Sequence, residues 1–280
     1  MASSKPLLVA QISDLHIKAP GSLAYGRVDT AKALERCVST LNALRPAPDF
    51  VVISGDLADT PSEQEYDHLR YLLQPLKLPF AAIPGNHDRR ELMRTAFGQA
   101  RYAASSGPLD QSIGLDGLDL LLLDSTVPQK PHGELGAQTL QWLDTTLASS
   151  TDRPALLFMH HPPFTTGIWH MDQQNLANAD QLATIVRRHP RLRLIACGHV
   201  HRATLATFAG RPCTICPAPN HAVDLDLAHL LEPSFKVEPP AFHLHAWFDG
   251  EDFGEVVVHQ VPIGAFDGPH PFFAPDGKLL

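Results

Sequence analysis

Six apolar runs of strand length recur through the first two-thirds of the chain: PLLVAQIS, DFVVIS, FAAIP, DLLLLD, ALLFM and LRLIAC. Five of them stop on side chains that bind metal ions. The first runs into ISDLH (Asp14, His16) and the second into SGDLAD (Asp56). The third leads to PGNHD, with Asn86, His87 and Asp88. The last two end in MHHPP (His160, His161) and CGHVH (His199, His201). Any one of these tips could be an ordinary turn or helix cap. Five in the same position relative to a strand form a constellation, because donors at the ends of neighbouring strands converge at one edge of a sheet. Gly55, Gly85 and Gly198 let the backbone turn sharply beside three of them.

The donor types narrow the chemistry. Oxygen ligands mixed with several imidazoles suit Zn, Fe, Mn or Co better than Ca or Mg. Asp14, His16, Asp56, Asn86, His160, His199 and His201 are too many for one tetrahedral ion. Two ions sharing a carboxylate is the economical arrangement.

Runs that are apolar throughout suit strands buried on both faces. Between them, Val28, Ala31, Leu34, Val38, Leu41 and Leu44 recur at helical spacing, and Pro46 ends that helix. A second helix is expected from DTPSEQEY, capped by Thr60 with Pro61 in its first turn. Two more are expected at residues 134–148 and 178–188. Asp116-Gly117 and Asp249-Gly250 each separate two strand-like runs, which is a hairpin signal. Alternating strands and helices with added hairpins predict an α/β fold of two packed sheets flanked by helices. The Pro-rich stretch from LEPSFKVEPPAF onward suggests a C-terminal accessory region that caps the site or makes an oligomer contact.

Bulk properties exclude several classes. With 280 residues, 44% hydrophobic and 19% charged, the chain has the means for a sizeable core. A net charge of −8 argues against a nucleic-acid polymer as partner, which would need a basic surface. No stretch approaches the roughly 20 apolar residues of a membrane span, and the amino terminus lacks a signal-peptide core. The chain reads as cytoplasmic. Cys213 and Cys216 have C-x-x-C spacing but lie in a strand-like segment with no second pair, so a redox or zinc role is disfavoured.

The order D-x-H, G-D, G-N-H-D, H-H-P-P, G-H-x-H over residues 12–201 resembles that of the calcineurin-like binuclear metallophosphoesterases. The resemblance implies a four-layer αββα sandwich of two mixed β-sheets. Residues 1–220 would form the catalytic core, and residues 221–280 would add strands to it together with a small cap. It implies one metal held by Asp14, His16, Asp56 and His201. Asp56 would bridge to a second ion held also by Asn86, His160 and His199. His161 would stand behind the ligands. His87 would approach the substrate phosphate and protonate the leaving oxygen, with Asn86 also touching substrate.

Protein Ser/Thr phosphatases of the family follow their Gly-Asp with Asp-Arg-Gly, and purple acid phosphatases add a Tyr ligand. GDLADTP has neither. AYGRVDT, HMDQQN and PNHAVD instead look similar to the bacterial glycerophosphodiesterases, close to the class III cyclic-nucleotide phosphodiesterases. His221 matches a His that lines their substrate pocket, and such enzymes are homo-oligomers. Trp169, His170 and Met171, after H-H-P-P, are weaker candidates for the same pocket.

The implied activity is metal-dependent hydrolysis of a small phosphodiester. A diester resists attack because its charge repels nucleophiles and its alkoxide leaves poorly. Two cations roughly 3.5–4 Å apart neutralise that charge and lower the pKa of a bound water to about 7, so a metal-bound hydroxide attacks phosphorus. A phosphomonoesterase or nucleotide pyrophosphatase of the same fold is the alternative. A metal-free scaffold is a more distant one.

Overall fold

The computed structural model describes residues 5–98, 102, 105–149, 152–230, 232–250 and 254–279. All six apolar runs form strands that pair in parallel with a neighbour; five are β1 (Leu7–Ile12), β2 (Phe50–Ser54), β3 (Phe80–Ile83), β6 (Ala155–Phe158) and β7 (Leu192–Cys197). The sixth is β5 (Leu118–Leu122).

Two mixed sheets result. In one, β1, β2 and β3 run parallel, in register Val9↔Phe50 and Val51↔Phe80. β12 (Ala241–Phe248) joins β1 antiparallel, and β13 (Glu255–Pro262) joins β12, giving the order β13-β12-β1-β2-β3. The other sheet has the order β4-β5-β6-β7-β9-β8. Here β4 (Gln111–Leu115) closes on β5 through Asp116-Gly117, and β8 (Thr204–Phe208) closes on β9 (Arg211–Ile215). The turn between β12 and β13 begins at Asp249-Gly250, and its residues 251–253 lie outside the described residues.

The strand residues face two ways, as continuous apolar runs require. Val9, Val52, Ile83, Leu120, Leu122, Leu156, Phe158 and Trp247 meet between the sheets. Alternate residues of the first sheet, such as Ala10, Ile12, Val51 and Ile53, pack outward against Leu34, Leu41, Leu69 and Leu72 of the helices α1 (Thr30–Ala43) and α2 (Glu63–Leu73). Leu121, Leu157 and Ile195 of the second sheet pack against Leu143, Leu147, Leu182 and Val186 of α4 (Ala137–Ser149) and α6 (Ala179–Arg188). Helix, sheet, sheet, helix is the layer order, an α/β four-layer sandwich. Burying a Leu- or Val-sized side chain contributes about 1.5–3 kcal/mol, so this double-faced packing is what holds the strand ends in place.

Helix boundaries differ from expectation where side chains found better partners. α2 starts at Glu63 and not at Pro61. The Ser62 hydroxyl accepts from Glu65 N (3.3 Å), and the Glu65 carboxylate turns back to Thr60 N (2.9 Å), so the cap sits two residues later than Thr60. α4 starts at Ala137 and α6 at Ala179. Asn178, placed to cap α6, uses its amide on Leu135 N and O instead (3.0 and 2.8 Å), pinning the stretch before α4. Two short helices went unread, α3 (Arg90–Phe97) and α5 (Trp169–Asp172).

All four cysteines are buried and free. Cys216 spends its thiol on Gln11 O at 3.1 Å. No helix among the described residues is long and apolar enough to cross a membrane.

Candidate metal centre

Because β1, β2, β3, β6 and β7 run parallel within their sheets, the ends that carry the clusters reach one edge of the sandwich. Backbone bonds stitch the loops there: Asp14 N to Gly55 O, His16 N to Asp56 O and Gly198 N to His160 O, at 2.9–3.0 Å. The turns are tight. Asp14, His16, Asp56, His199 and His201 all have positive φ, between 47° and 76°, five of nine such non-glycine residues among those described. Holding a residue there costs of order 1–3 kcal/mol, and such strain gathers at functional sites. The glycines prevent collision. A Cβ at Gly85 would lie 2.2 Å from Asp56 Oδ1, and one at Gly198 would lie 2.1 Å from Ser13 Oγ.

Asp14, His16, Asp56 and His201 place one donor atom each within 4.8 Å of one another, all buried. His16 Nε2 and His201 Nε2 face each other at 3.2 Å. Asp56 Oδ2 lies 3.5 Å from His16 Nε2 and 3.3 Å from His160 Nε2, so one carboxylate oxygen addresses both halves of the cluster.

The residues fit a pair of cations. Three polar atoms beside this group have no hydrogen-bond partner: Asn86 Oδ1, His160 Nε2 and His199 Nε2. Orphaned buried donors and acceptors are rare and costly. These three belong to the residues expected around the second ion. The opposite ring nitrogens are occupied: His16 Nδ1 donates to Asp59 (3.0 Å), His160 Nδ1 to Ser54 O (2.9 Å) and His201 Nδ1 to His221 O (3.2 Å). That fixes the tautomers and aims each Nε2 lone pair inward, as metal ligands require. His161 lies with His160 and His199 but has both nitrogens engaged, by the Ser125 hydroxyl (2.8 Å) and Pro131 O (3.2 Å).

Charge is unevenly spread. Burial and the neighbouring Asp56 push Asp14 up to about 6, although His160 opposes them. Burial also pushes Asp56 up, but His160, His87 and His16 outweigh it and hold it well below the usual carboxylate range. His160 shows the mirror effect. Burial would lower it, yet Asp56 and Asp14 lift it to about 9. Burial and cationic neighbours hold His199 and His201 far below the normal imidazole range. Despite burial, two carboxylates that cannot both ionise freely draw His160 and, with Asp59, His16 toward the charged form, while His199 and His201 stay neutral. This concentration of negative charge and neutral donors suits a group of cations.

His87 stands at the rim. Its N–H is held by Asp56 Oδ1 (2.9 Å) and its Nδ1 donates to Asp59 O (2.8 Å), leaving Nε2 free. His16 meets it edge-on at 4.7 Å. Asp88 faces away from the donors and clamps two loops, accepting from Leu57, Ala58 and Gly85 amides and from the Tyr66 hydroxyl. His221 packs 4.6 Å from His201, and its Nδ1 is also unpartnered. Burial, with His201 and His16 nearby, lowers it to about 2. Trp169 and His170 line a separate hollow with Asp226 and His229, and Met171 is buried in the second-sheet core.

Asp59, Lys18 and Asn220 escaped the sequence reading. Asp59 holds His16 and is itself held by Lys18 (3.0 Å). Asn220 donates to Asp14 O and Leu15 O (2.9 and 3.0 Å), tying the C-terminal segment to the first strand end. Asp59 lies in the same SGDLAD segment as Asp56, where it reads as turn filler.

Residues 7–203 match the calcineurin-like phosphoesterase family, and the chain belongs to it. Members work with two divalent metal ions, which the donor set described above suits. The chain is 36% identical over 275 residues to the probable glycerophosphodiester phosphodiesterase GpdQ of Arcobacter nitrofigilis, covering 98% of this chain and 100% of that protein. It is 32% identical to the 3',5'-cyclic adenosine monophosphate phosphodiesterase CpdA of Escherichia coli K12, over 78% of each. A dimetal phosphatase from Danio rerio shares the fold, with a TM-score of 0.69 at 14% identity over 93% of this chain and 98% of that one.

Proposed function

We infer that small phosphodiesters of the glycerophosphodiester type are the substrates of this metal-dependent phosphodiesterase. The observation that carries the reading is the set of three orphaned atoms, Asn86 Oδ1, His160 Nε2 and His199 Nε2, of which His160 Nε2 lies 3.3 Å from the Asp56 carboxylate. Asp14, His16, Asp56 and His201 would hold one ion, and Asp56, Asn86, His160 and His199 would hold the other. When bound, such a pair would supply neutralisation of the phosphate charge and activation of water near neutral pH.

The chain's own residues supply the rest. His87 sits beside the ions with its Nδ1 proton fixed on Asp59 O, so Nε2 is the atom that binds and protonates the departing oxygen. Asn86 and His87 open onto a cavity of about 770 Å³. On the far side, His201 and His221 border a smaller one of about 150 Å³. A diester has two substituents and the centre has two flanking cavities. His221, neutral and with a free Nδ1, binds the substituent that remains on phosphate.

The 36% identity to the GpdQ protein over its whole length, against 33% over 93% of a probable cyclic nucleotide phosphodiesterase of Rhodopseudomonas palustris, favours an acyclic diester by a small margin. The C-terminal surface favours a homo-oligomer. Phe266, Phe272, Phe273 and Leu279 are 58–79% exposed, and β13 is an unpaired edge.

With Mn²⁺, Co²⁺ or Zn²⁺ added, glycerophosphoethanolamine and bis(p-nitrophenyl) phosphate are hydrolysed faster than cyclic AMP or p-nitrophenyl phosphate. A monoester turned over faster than every diester would sink the reading.

A further inference from the structure

The two cavities beside the metal centre differ in charge. In the smaller, Arg202 is neutralised by Glu238 (2.9 Å) and bound by Val223 O (2.8 Å). The larger, which His87 lines, carries Arg89, Arg90, Arg94 and Lys130 on its wall. Arg90 is spent on Asp124 (2.6 and 3.1 Å) and Thr126 O, and Arg94 is braced by the carbonyls of Gly107 and Pro108. The side chains of Arg89 and Lys130 make no hydrogen bond or ion pair among the described residues. Two carboxylates line the same cavity. Asp88 is consumed by three backbone amides and Tyr66, which leaves Glu91 as the one opposing charge. A chain of net charge −8 has therefore put unpaired cations beside its reaction centre.

Position decides what they meet. His87 protonates the departing oxygen, so the departing alcohol lies on the His87 side, in the large cavity. Its volume of about 770 Å³ holds more than a glycerol or ethanolamine unit. We propose that Arg89 and Lys130 form a specificity site for an anionic group, carboxylate or phosphate, on the departing alcohol of the diester. The proposal rests on the phosphodiesterase reading above. The bond broken is still that between phosphorus and the departing oxygen. The added charge is recognised and takes no part in the chemistry, so the gain appears in KM more than in kcat.

The test compares kcat/KM for matched diesters in the Mn²⁺-loaded enzyme. Glycerophosphoserine and glycerophosphoethanolamine differ by one carboxylate, and glycerophosphoinositol 4-phosphate and glycerophosphoinositol differ by one phosphate. Two solvent-exposed cations acting together give a preference of roughly fivefold to thirtyfold for the anionic member. That preference falls in 0.5 M NaCl, where the Debye length shrinks to about 4 Å, and collapses toward unity in R89Q/K130Q. Both measurements on the wild-type enzyme stand even if the variant folds poorly. A preference in only one pair names the group as carboxylate or phosphate. Equal rates within both pairs, or a preference that survives R89Q/K130Q, overturns the proposal while leaving the phosphodiesterase reading intact. Absence of turnover on every diester removes that reading and this proposal with it.

Discussion

The two sheets make unlike contributions to the centre. Every proposed oxygen donor, Asp14, Asp56 and Asn86, comes from the β1, β2 and β3 ends of the first sheet. The second sheet, through β6 and β7, contributes only imidazoles: His160, His199 and His201. One half brings negative charge that burial makes expensive, as the raised Asp14 shows. The other brings neutral donors, two of them held unprotonated by burial. Asp14, His16 and Asp56 of one half meet His201 of the other, so this four-residue cluster exists only once Phe158, Leu120, Val52 and their neighbours have joined the sheets. Cation binding and sheet packing are therefore linked, and metal should stabilise the folded chain by mass action.

Breaking the anionic half should have the largest effect. Asp56→Ala deletes the carboxylate that reaches both clusters, so hydrolysis should drop to background and elemental analysis should find at most one ion per chain. Two ions retained would refute its bridging place. His87→Ala spares both halves and should cut turnover on diesters by about 10²–10⁴-fold with metal content near normal. A variant that lost its metals would show His87 to be a ligand. Gly85→Ala probes the join. Its Cβ would meet Asp56 Oδ1 at 2.2 Å and Asp56 N at 2.4 Å. The cost should be about 1–3 kcal/mol of stability in urea unfolding, as for overpacking, together with weaker metal retention; an unchanged midpoint would mean the loop yields freely.

The smallest effect concerns pH and lies away from the donors. Burial lowers His243 to about 4 and His245 to about 3, with His243 adding to the latter. Their folded values lie below the unfolded value near 6.5, so the unfolded chain binds protons that the folded chain refuses. The contribution of these two imidazoles to stability should be flat above about pH 7 and decline as pH falls through 6 toward 4. His245→Gln, which can still reach Gln11 Oε1, should remove up to ~1.4 kcal/mol per pH unit of that slope. An identical slope in the variant would show that His245 titrates normally.

What the sequence disclosed and what it hid follow from range. Strands buried on both faces must be apolar throughout, so six of them could be read as runs, and the polar residue that follows such a run is conspicuous. The joint pattern of Asp14, Asp56, Asn86, His160 and His199 was legible for that reason. Ring-nitrogen direction was not, since it depends on Ser54 O, Asp59 and His221 O, contacts 20 to 106 residues apart. The charged cavity was hidden similarly, because residues 86–94 and 105–107 meet residues 126–131 only in three dimensions. Helix starts were missed where a local propensity lost to a tertiary partner, as Asn178 lost its capping role to Leu135.

The central claim is that two cations, joined through Asp56, are what the converging strand ends exist to hold. Titrating the metal-stripped chain with Mn²⁺ or Co²⁺, while counting bound ions and following hydrolysis of bis(p-nitrophenyl) phosphate, tests it most directly. The account predicts negligible activity without metal and a plateau reached as the second ion per chain binds. Full activity in a chain holding no ion, or complete at one, would contradict it.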